Sequence, residues 1–176
     1  MSAPIFIDDR EIEILAGRPV RKVSPKHRHA VVQGRLWAIL SSLGRGRGTT
    51  GTEWRFRLDD LPGAQTRLVP DVAFLSYERW RPLVGEDRQE PPLAPDIAVE
   101  VRSPDDRLSN VMWKIRAYLK TGTLLVLDVL PEQRRIITYE RDAMHEFGQD
   151  ETFALESIPW LRFDVAEAFA DLEPGE

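Results

Sequence analysis

Apolar residues recur at helical spacing in two stretches of the chain and alternate with polar ones in several others. In "VSPKHRHAVVQGRLWAILSSLGRGRG", Val32, Leu36, Ile39, Leu40 and Leu43 fall on one side of a helix that Ser24 or Pro25 opens and the glycine-rich run closes. In "RLSNVMWKIRAYLKTG", Leu108, Val111, Met112, Ile115 and Leu119 predict a second helix. The preceding "PDD" supplies its N-cap and acidic first turn, and Gly122 its stop. Alternation predicts strands in "GTEWRFRL", with Trp54, Phe56 and Leu58 on one face, and in "TRLVPDVAFLS" and "PDIAVEVRS". "EIEILAGRPV" alternates around a glycine, as a short hairpin does. "TLLVLDVL" is almost continuously apolar, the pattern of a strand buried on both faces, and "RRIITYER" pairs with it across the turn at "PEQ".

Between these, "LDDLPGAQ" reads as a turn and "YERWRPLVGEDRQEPPLA" as a polar, proline-containing loop of the kind that borders functional sites. The tail, "FALESIPWLRFDVAEAFADL", predicts a strand and a short terminal helix. The order helix, three strands, helix, two strands makes a mixed α/β fold, the second helix crossing over between the third and fourth strands. One domain over 1–176 is expected, with a hairpin at about 5–22, a core at about 25–142 and a closing strand and helix at about 147–172.

Composition narrows the chemistry. The hydrophobic share of 42% and charged share of 30% are those of an ordinary soluble chain. No apolar run is long enough to cross a bilayer. The opening "MSAPIFIDDREIEILAG" has four acids among its first 13 residues and no basic leader, so no signal peptide is expected, and a cytoplasmic location is the default. The absence of cysteine excludes disulfides, thiolate metal sites and thiol nucleophiles. With three histidines, any metal is expected to be a hard cation on oxygens.

The net charge of −5 is unevenly spread. Arg18 to Arg57 holds ten Lys/Arg against one acid, Glu53, so the rest of the chain is strongly acidic. Such asymmetry fits either polyanion contact or a solvated basic face answered by an acidic one.

The strand "PDIAVEVRSP" sets Ile97, Val99 and Val101 on one face and Asp96, Ala98, Glu100 and Arg102 on the other. Carboxylates seldom enter a core strand unless paired or bound to a cation. A Pro-Asp pair also opens the preceding strand, at Asp71. Carboxylates on two adjacent strands can hold one Mg²⁺, and a nearby Lys can orient a water or offset developing charge, which is the equipment of phosphodiester hydrolysis. Each residue also has a structural use. Asp71 can simply begin a strand, Asp96 can cap a strand edge, and Lys114 can be a solvated helix residue. Tyr118, four residues on, is most simply a packing residue.

The ordered set "VPDVAFLS", then "APDIAVEVRSPDDRLSNVMWKIRAYLKTGTLLVLDVLPEQRRIITYE", resembles the Uma-two family within the PD-(D/E)xK restriction-endonuclease-like superfamily. "IEILAGRPV", "SPKHRHAVVQGRL" and "SIPWLRFDVAEAF" extend the resemblance almost end to end. It implies a restriction-endonuclease-like α/β core, a mixed central sheet flanked by helices, with an N-terminal hairpin. It also implies a Mg²⁺-dependent endonuclease acting on DNA, with Mn²⁺ as a substitute metal. Asp71 and Glu100 would be the metal-binding acids. The superfamily's Lys falls at Arg102 here, and Arg does not deprotonate; the resembled family supplies its Lys from the following helix, which implies Lys114 as the catalytic lysine. Glu13, Asp96 and Arg102 would support the site. Arg21, Lys22, Lys26, His29, Arg55 and Arg57 would contact the phosphate backbone. Cutting both strands of a duplex suggests a homodimer. A catalytically silent nucleic-acid-binding or assembly module on the same fold is the competing expectation.

Overall fold

The computed structural model describes residues 12–22, 26–58 and 65–172. Strands β1 (Ile12–Leu15) and β2 (Arg18–Arg21) form the expected hairpin, turning through Ala16 and Gly17 at φ of 49° and 76°. Both turn residues are in the left-handed region that a two-residue hairpin loop demands. Helix α1 (His27–Leu43) is followed by β3 (Gly48–Thr52), β4 (Phe56–Arg57), β5 (Arg67–Leu68) and β6 (Val72–Ser76). Two short helices, α2 (Tyr77–Trp80) and α3 (Glu86–Gln89), occupy the segment expected to be a loop and lead to β7 (Ile97–Val101). After α4 (Leu108–Lys120) come β8 (Leu125–Leu130), a 3-10 turn over Pro131–Gln133, β9 (Arg135–Tyr139) and β10 (Met144–Gly148). The chain closes with β11 (Thr152–Phe153), β12 (Phe163–Asp164) and α5 (Val165–Ala168).

Six strands form the main sheet in the order β10-β9-β8-β7-β6-β3. Among the described strands only β7 and β8 run parallel, and α4 supplies the crossover that a parallel pair requires. The sheet is mixed and flanked by helices, as expected. A smaller sheet, β2-β1-β5-β4, holds the hairpin.

Every residue of β7 is buried, and its alternation divides the core in two. Ile97, Val99 and Val101 pack with Val32, Leu36 and Leu40 of α1 and with the C-terminal segment. Ala98 faces the opposite side, with Val111, Ile115 and Tyr118 of α4 and Phe56 and Leu68 of the small sheet. Burying side chains of this size contributes about 1.5–3 kcal/mol each. Glu100 lies on this second face.

Some expectations are corrected. "GTEWRFRL" and "TRLVPDVAFLS" are each divided between the two sheets, the first at Glu53, whose φ is +50°, and the second at Pro70-Asp71. Alternation cannot reveal such a break, because the pattern continues when a strand changes sheets. Leu108 is exposed, and Lys114, Ala117 and Tyr118 are buried instead, so the inner face of α4 is partly polar. Arg107 is the N-cap of α4, while Asp106 accepts the Ser103 N–H at 2.7 Å in the preceding turn. Strand β10 was not expected, since "MHEFG" carries little alternation. Gly44 ends α1 at φ −82°, so close packing on Phe74, and not a left-handed turn, requires glycine there. The proposed helix opening at Ser24 or Pro25, residues 5–11 of the hairpin region and most of the "LDDLPGAQ" turn lie outside the described residues. Among the described residues, no helix is long and apolar enough to cross a membrane.

Candidate active site

The β6–β7 register pairs Val72 with Val99, so one residue further Asp71 stands opposite Glu100. The parallel β7–β8 register pairs Glu100 with Asp128. Directly opposed residues share a face, so three acids form a row across three adjacent strands at one end of the sheet. All three are buried, and like charges so opposed destabilise a sheet unless cations answer them. Each acid has one. Lys22 meets Asp71 Oδ1 at 2.8 Å, Lys114 pairs with Glu100 Oε2, and Arg102 forks onto Asp128 with Nε at 2.7 Å from Oδ1 and Nη2 at 2.5 Å from Oδ2.

Asp71, Glu100 and Lys114 line one cavity of about 480 Å³, together with Glu13, His29, Arg18, Arg21, Lys22 and Arg102. Asp71 immediately precedes β6, Glu100 belongs to β7 and Lys114 to α4. Backbone geometry fixes Asp71: its N–H donates to the Val99 carbonyl at 3.0 Å, and its Oδ2 accepts the Val101 N–H at 2.6 Å. His29 Nε2 lies 3.2 Å from the same Oδ2. Burial alone would raise the Asp71 pKa, but the Lys22 ammonium and the His29 hydrogen bond hold it well below the usual carboxylate range. The carboxylate can only accept, so Nε2 carries the hydrogen of that bond.

Lys114 comes within 3.3 and 3.1 Å of Glu13 Oε1 and Oε2 as well as meeting Glu100. Glu13 Oε1 also accepts the Val69 N–H at 2.9 Å, which ties the hairpin to the strand leading into Asp71. Burial would depress the Lys114 pKa, yet Glu100 and Glu13 raise it above the ordinary lysine range. Glu100 moves the other way from a typical ion-paired acid. Burial pushes its carboxyl up to about 8, with Lys114 opposing this and Glu13 and Asp71 adding to it. Tyr118 donates its hydroxyl to Glu100 Oε1 at 2.9 Å, and burial beside that carboxylate raises the phenol well above its ordinary value.

Glu100 therefore sets a pH dependence in the metal-free chain. An ordinary Glu releases its proton near 4.5, whereas Glu100 in the fold keeps it to about 8. Stability linked to this proton is fully present below the lower value and lost as pH rises through the upper one. Asp71 has the opposite sign, but its contribution is lost only in acid, outside that window. With a chelator present, the melting temperature is expected to fall between pH 5 and pH 8, and Glu100→Gln to flatten the decline. Equal slopes for the two proteins would refute the assignment.

The remaining expected residues are dispersed. Asp96 sits four residues from Glu100, about 13 Å along the strand, and does not line the cavity. It accepts the Ser76 N–H at 2.6 Å and an Arg79 Nη1 hydrogen at 2.8 Å, so it fastens the far end of the sheet and is no support to the site. Arg102 lines the cavity, but its guanidinium is committed to Asp128. Lys26 lines an adjoining cavity of about 290 Å³ and pairs with exposed Asp105 at 2.9 Å. Arg55 and Arg57 do not reach either cavity. Arg55 lies 3.3 Å from Glu90, and Arg57 pairs with Asp87 and donates to the Glu90 carbonyl at 3.0 Å. Arg21 lines the larger cavity and Lys22 turns inward onto Asp71.

Sequence reasoning missed four participants. Asp128 was signalled as the one charge inside "TLLVLDVL", but its partner Arg102 was assigned elsewhere. Tyr118 is buried, yet it is a hydrogen-bond donor to Glu100 and not merely packing. Glu53 and Gln33, which hold Lys22 and the Asp71 backbone, carried no local signal.

The donors that face the cavity fit a hard cation in kind. Glu13, Asp71 and Glu100 are oxygen ligands, and three buried acids outnumber the two ammonium groups among them. Burial raises the Glu100 carboxyl first of all, and the neighbouring Glu13 and Asp71 add to it. Among the described residues no three acids or histidines are already gathered as a metal cage. Mg²⁺ does not need one, since one or two carboxylates, waters and a phosphate complete its shell.

The family model described as "Uma2: Putative restriction endonuclease" matches residues 4–166. The fold is similar to the crystal structure of a "putative nuclease belonging to DUF820" from Anabaena variabilis ATCC 29413, with a TM-score of 0.78 and 21% sequence identity over 90% of this chain and 89% of that one. No curated protein matches the chain.

Proposed function

The chain belongs to the Uma2 family, and from that premise we propose that it is a metal-dependent endonuclease hydrolysing phosphodiester bonds in DNA. One observation carries the reading: Asp71, Glu100 and Lys114, from three separate elements, line a single cavity with arginines on its wall. Asp71 and Glu100 would hold Mg²⁺, or Mn²⁺ in its place. When bound, that ion supplies polarisation of the phosphoryl oxygen and acidification of a water.

The side chains divide the remaining work. Tyr118 fixes one oxygen of Glu100 and leaves the other toward the cavity side, where Lys114 meets it. Lys114, held protonated by Glu100 and Glu13, is no general base. Its part is to donate hydrogen bonds to the attacking water or to the phosphate as negative charge develops. Glu13 positions the ammonium from the hairpin side. Arg18 and Arg21 lie on the cavity wall, where a phosphate backbone would pass.

Purified protein is expected to nick supercoiled plasmid with Mg²⁺ or Mn²⁺, and excess chelator to stop it. Nicking that survives the chelator would contradict the metal chemistry. Salt-sensitive DNA retention with no nicking would instead favour a silent binding module, as the competing expectation holds.

A further inference from the structure

Lys22 follows β2 and its ammonium rests among three oxygens. Asp71 Oδ1 is 2.8 Å away, Glu53 Oε2 2.5 Å and the Val69 carbonyl 2.9 Å. The contact with Oδ1 is one of charge, since that buried oxygen has no aligned hydrogen-bond donor among the described residues. Burial would lower the Lys22 pKa, but Asp71 and Glu53 outweigh it, and the group stays a cation.

This receptor is built from several elements. Glu53 adopts φ +50°, an uncommon backbone for a residue with a side chain. Its other oxygen accepts Gln33 Nε2 at 2.8 Å, and the same amide donates to the Asp71 carbonyl at 2.9 Å. Helix α1, the β3–β4 break and the start of β6 thus converge on one ammonium. The arrangement is a small cation site that the chain fills with its own lysine.

The proposed metal would claim the same carboxylate. A divalent ion on Asp71 and an ammonium 2.8 Å from it repel strongly in a buried setting. Lys22 also lines the 480 Å³ cavity, so its ammonium has space to move into.

We propose that Lys22 is an exchangeable counter-cation of Asp71. It neutralises the acid in the metal-free chain, a divalent ion displaces it, and the released ammonium turns into the cavity to meet the phosphates of the substrate. The proposal rests on the metal site assigned above. It explains how Asp71 stays ionised and ordered without metal, and it makes metal affinity the outcome of a competition.

Titration calorimetry with Mn²⁺ on the full chain tests it. Lys22→Gln is expected to bind Mn²⁺ about tenfold more tightly than the parent, because no internal cation need be expelled. On the parent protein, acetylation footprinting is expected to label Lys22 several-fold faster with Mn²⁺ than with a chelator, and exposed Lys26 equally in both. That second measurement decides the matter even if Lys22→Gln folds poorly. Equal, measurable affinities with unchanged Lys22 labelling would overturn the exchange and leave the metal site standing. Weaker binding by Lys22→Gln would also overturn it, since Lys22 would then be positioning Asp71 for the metal. No Mn²⁺ binding by either protein would overturn the metal site and this proposal together.

Discussion

Asp71→Asn is expected to slow Mg²⁺-dependent plasmid nicking about a thousandfold while leaving the chain folded. The substitution keeps an oxygen for the Val101 N–H, which held Asp71 Oδ2 at 2.6 Å, so the junction between β6 and β7 persists. What it removes is the negative charge that attracts a divalent ion. Lys22 then faces a neutral amide but keeps Glu53 and the Val69 carbonyl. The loss of one charge-assisted contact lowers stability by about 1–3 kcal/mol, well short of unfolding an ordinary domain. Glu100→Gln is expected to match the loss of activity with less cost to the fold. Its amide oxygen still accepts the Tyr118 hydroxyl, and Lys114 retains Glu13. Initial nicking rates read beside near-ultraviolet circular dichroism and melting curves check both variants. Rates within a few-fold of the parent would remove these acids from the active site.

The second large effect is one of stability and lies at the neighbouring pair. Arg102→Met is expected to cost about 3–5 kcal/mol, since it leaves the carboxylate of Asp128 buried without its cation. Asp128 is 0% exposed, whereas the Arg102 side chain is 23% exposed. The asymmetry decides the ranking. Asp128→Asn removes the buried charge, and the arginine left behind can turn toward water, so its cost is about 1–3 kcal/mol. The double variant is expected to be more stable than Arg102→Met alone, because no uncompensated charge remains. Urea denaturation of the three variants measures this. An Arg102→Met no more destabilised than Asp128→Asn would show that the fork carries little of the load assigned to it.

That pair also explains why the arginine two residues after Glu100 is not a free cation in the cavity. Its guanidinium answers a carboxylate one strand over, and the match is bidentate. The task left for a cation at Glu100 falls to Lys114, which reaches it from α4. Lys114 stands 14 positions after Glu100 along the chain, and only the packing of α4 across the sheet brings the two together.

The sequence by itself determined the two long helices and the central strands. Apolar periodicity located α1, α4 and the strands β7, β8 and β9, since burial acts on spacing that any reader of the chain can see. The Pro-Asp pair and the mid-strand Glu100 marked carboxylates whose burial demands a partner. Tertiary structure alone decided the partners. Lys22, 49 positions before Asp71, Glu13 against Lys114 and Asp128 against Arg102 are contacts between separate elements, and local pattern carries no distance between distant segments. The basic stretch from Arg18 to Arg57 shows the same limit. Its charge was legible, but its direction was not: Lys22 points into the site, Arg55 and Arg57 pair with the acids of the α3 region, and Arg18 and Arg21 line the cavity. Charge is a property of composition, whereas what a charge faces depends on how the sheets and helices pack.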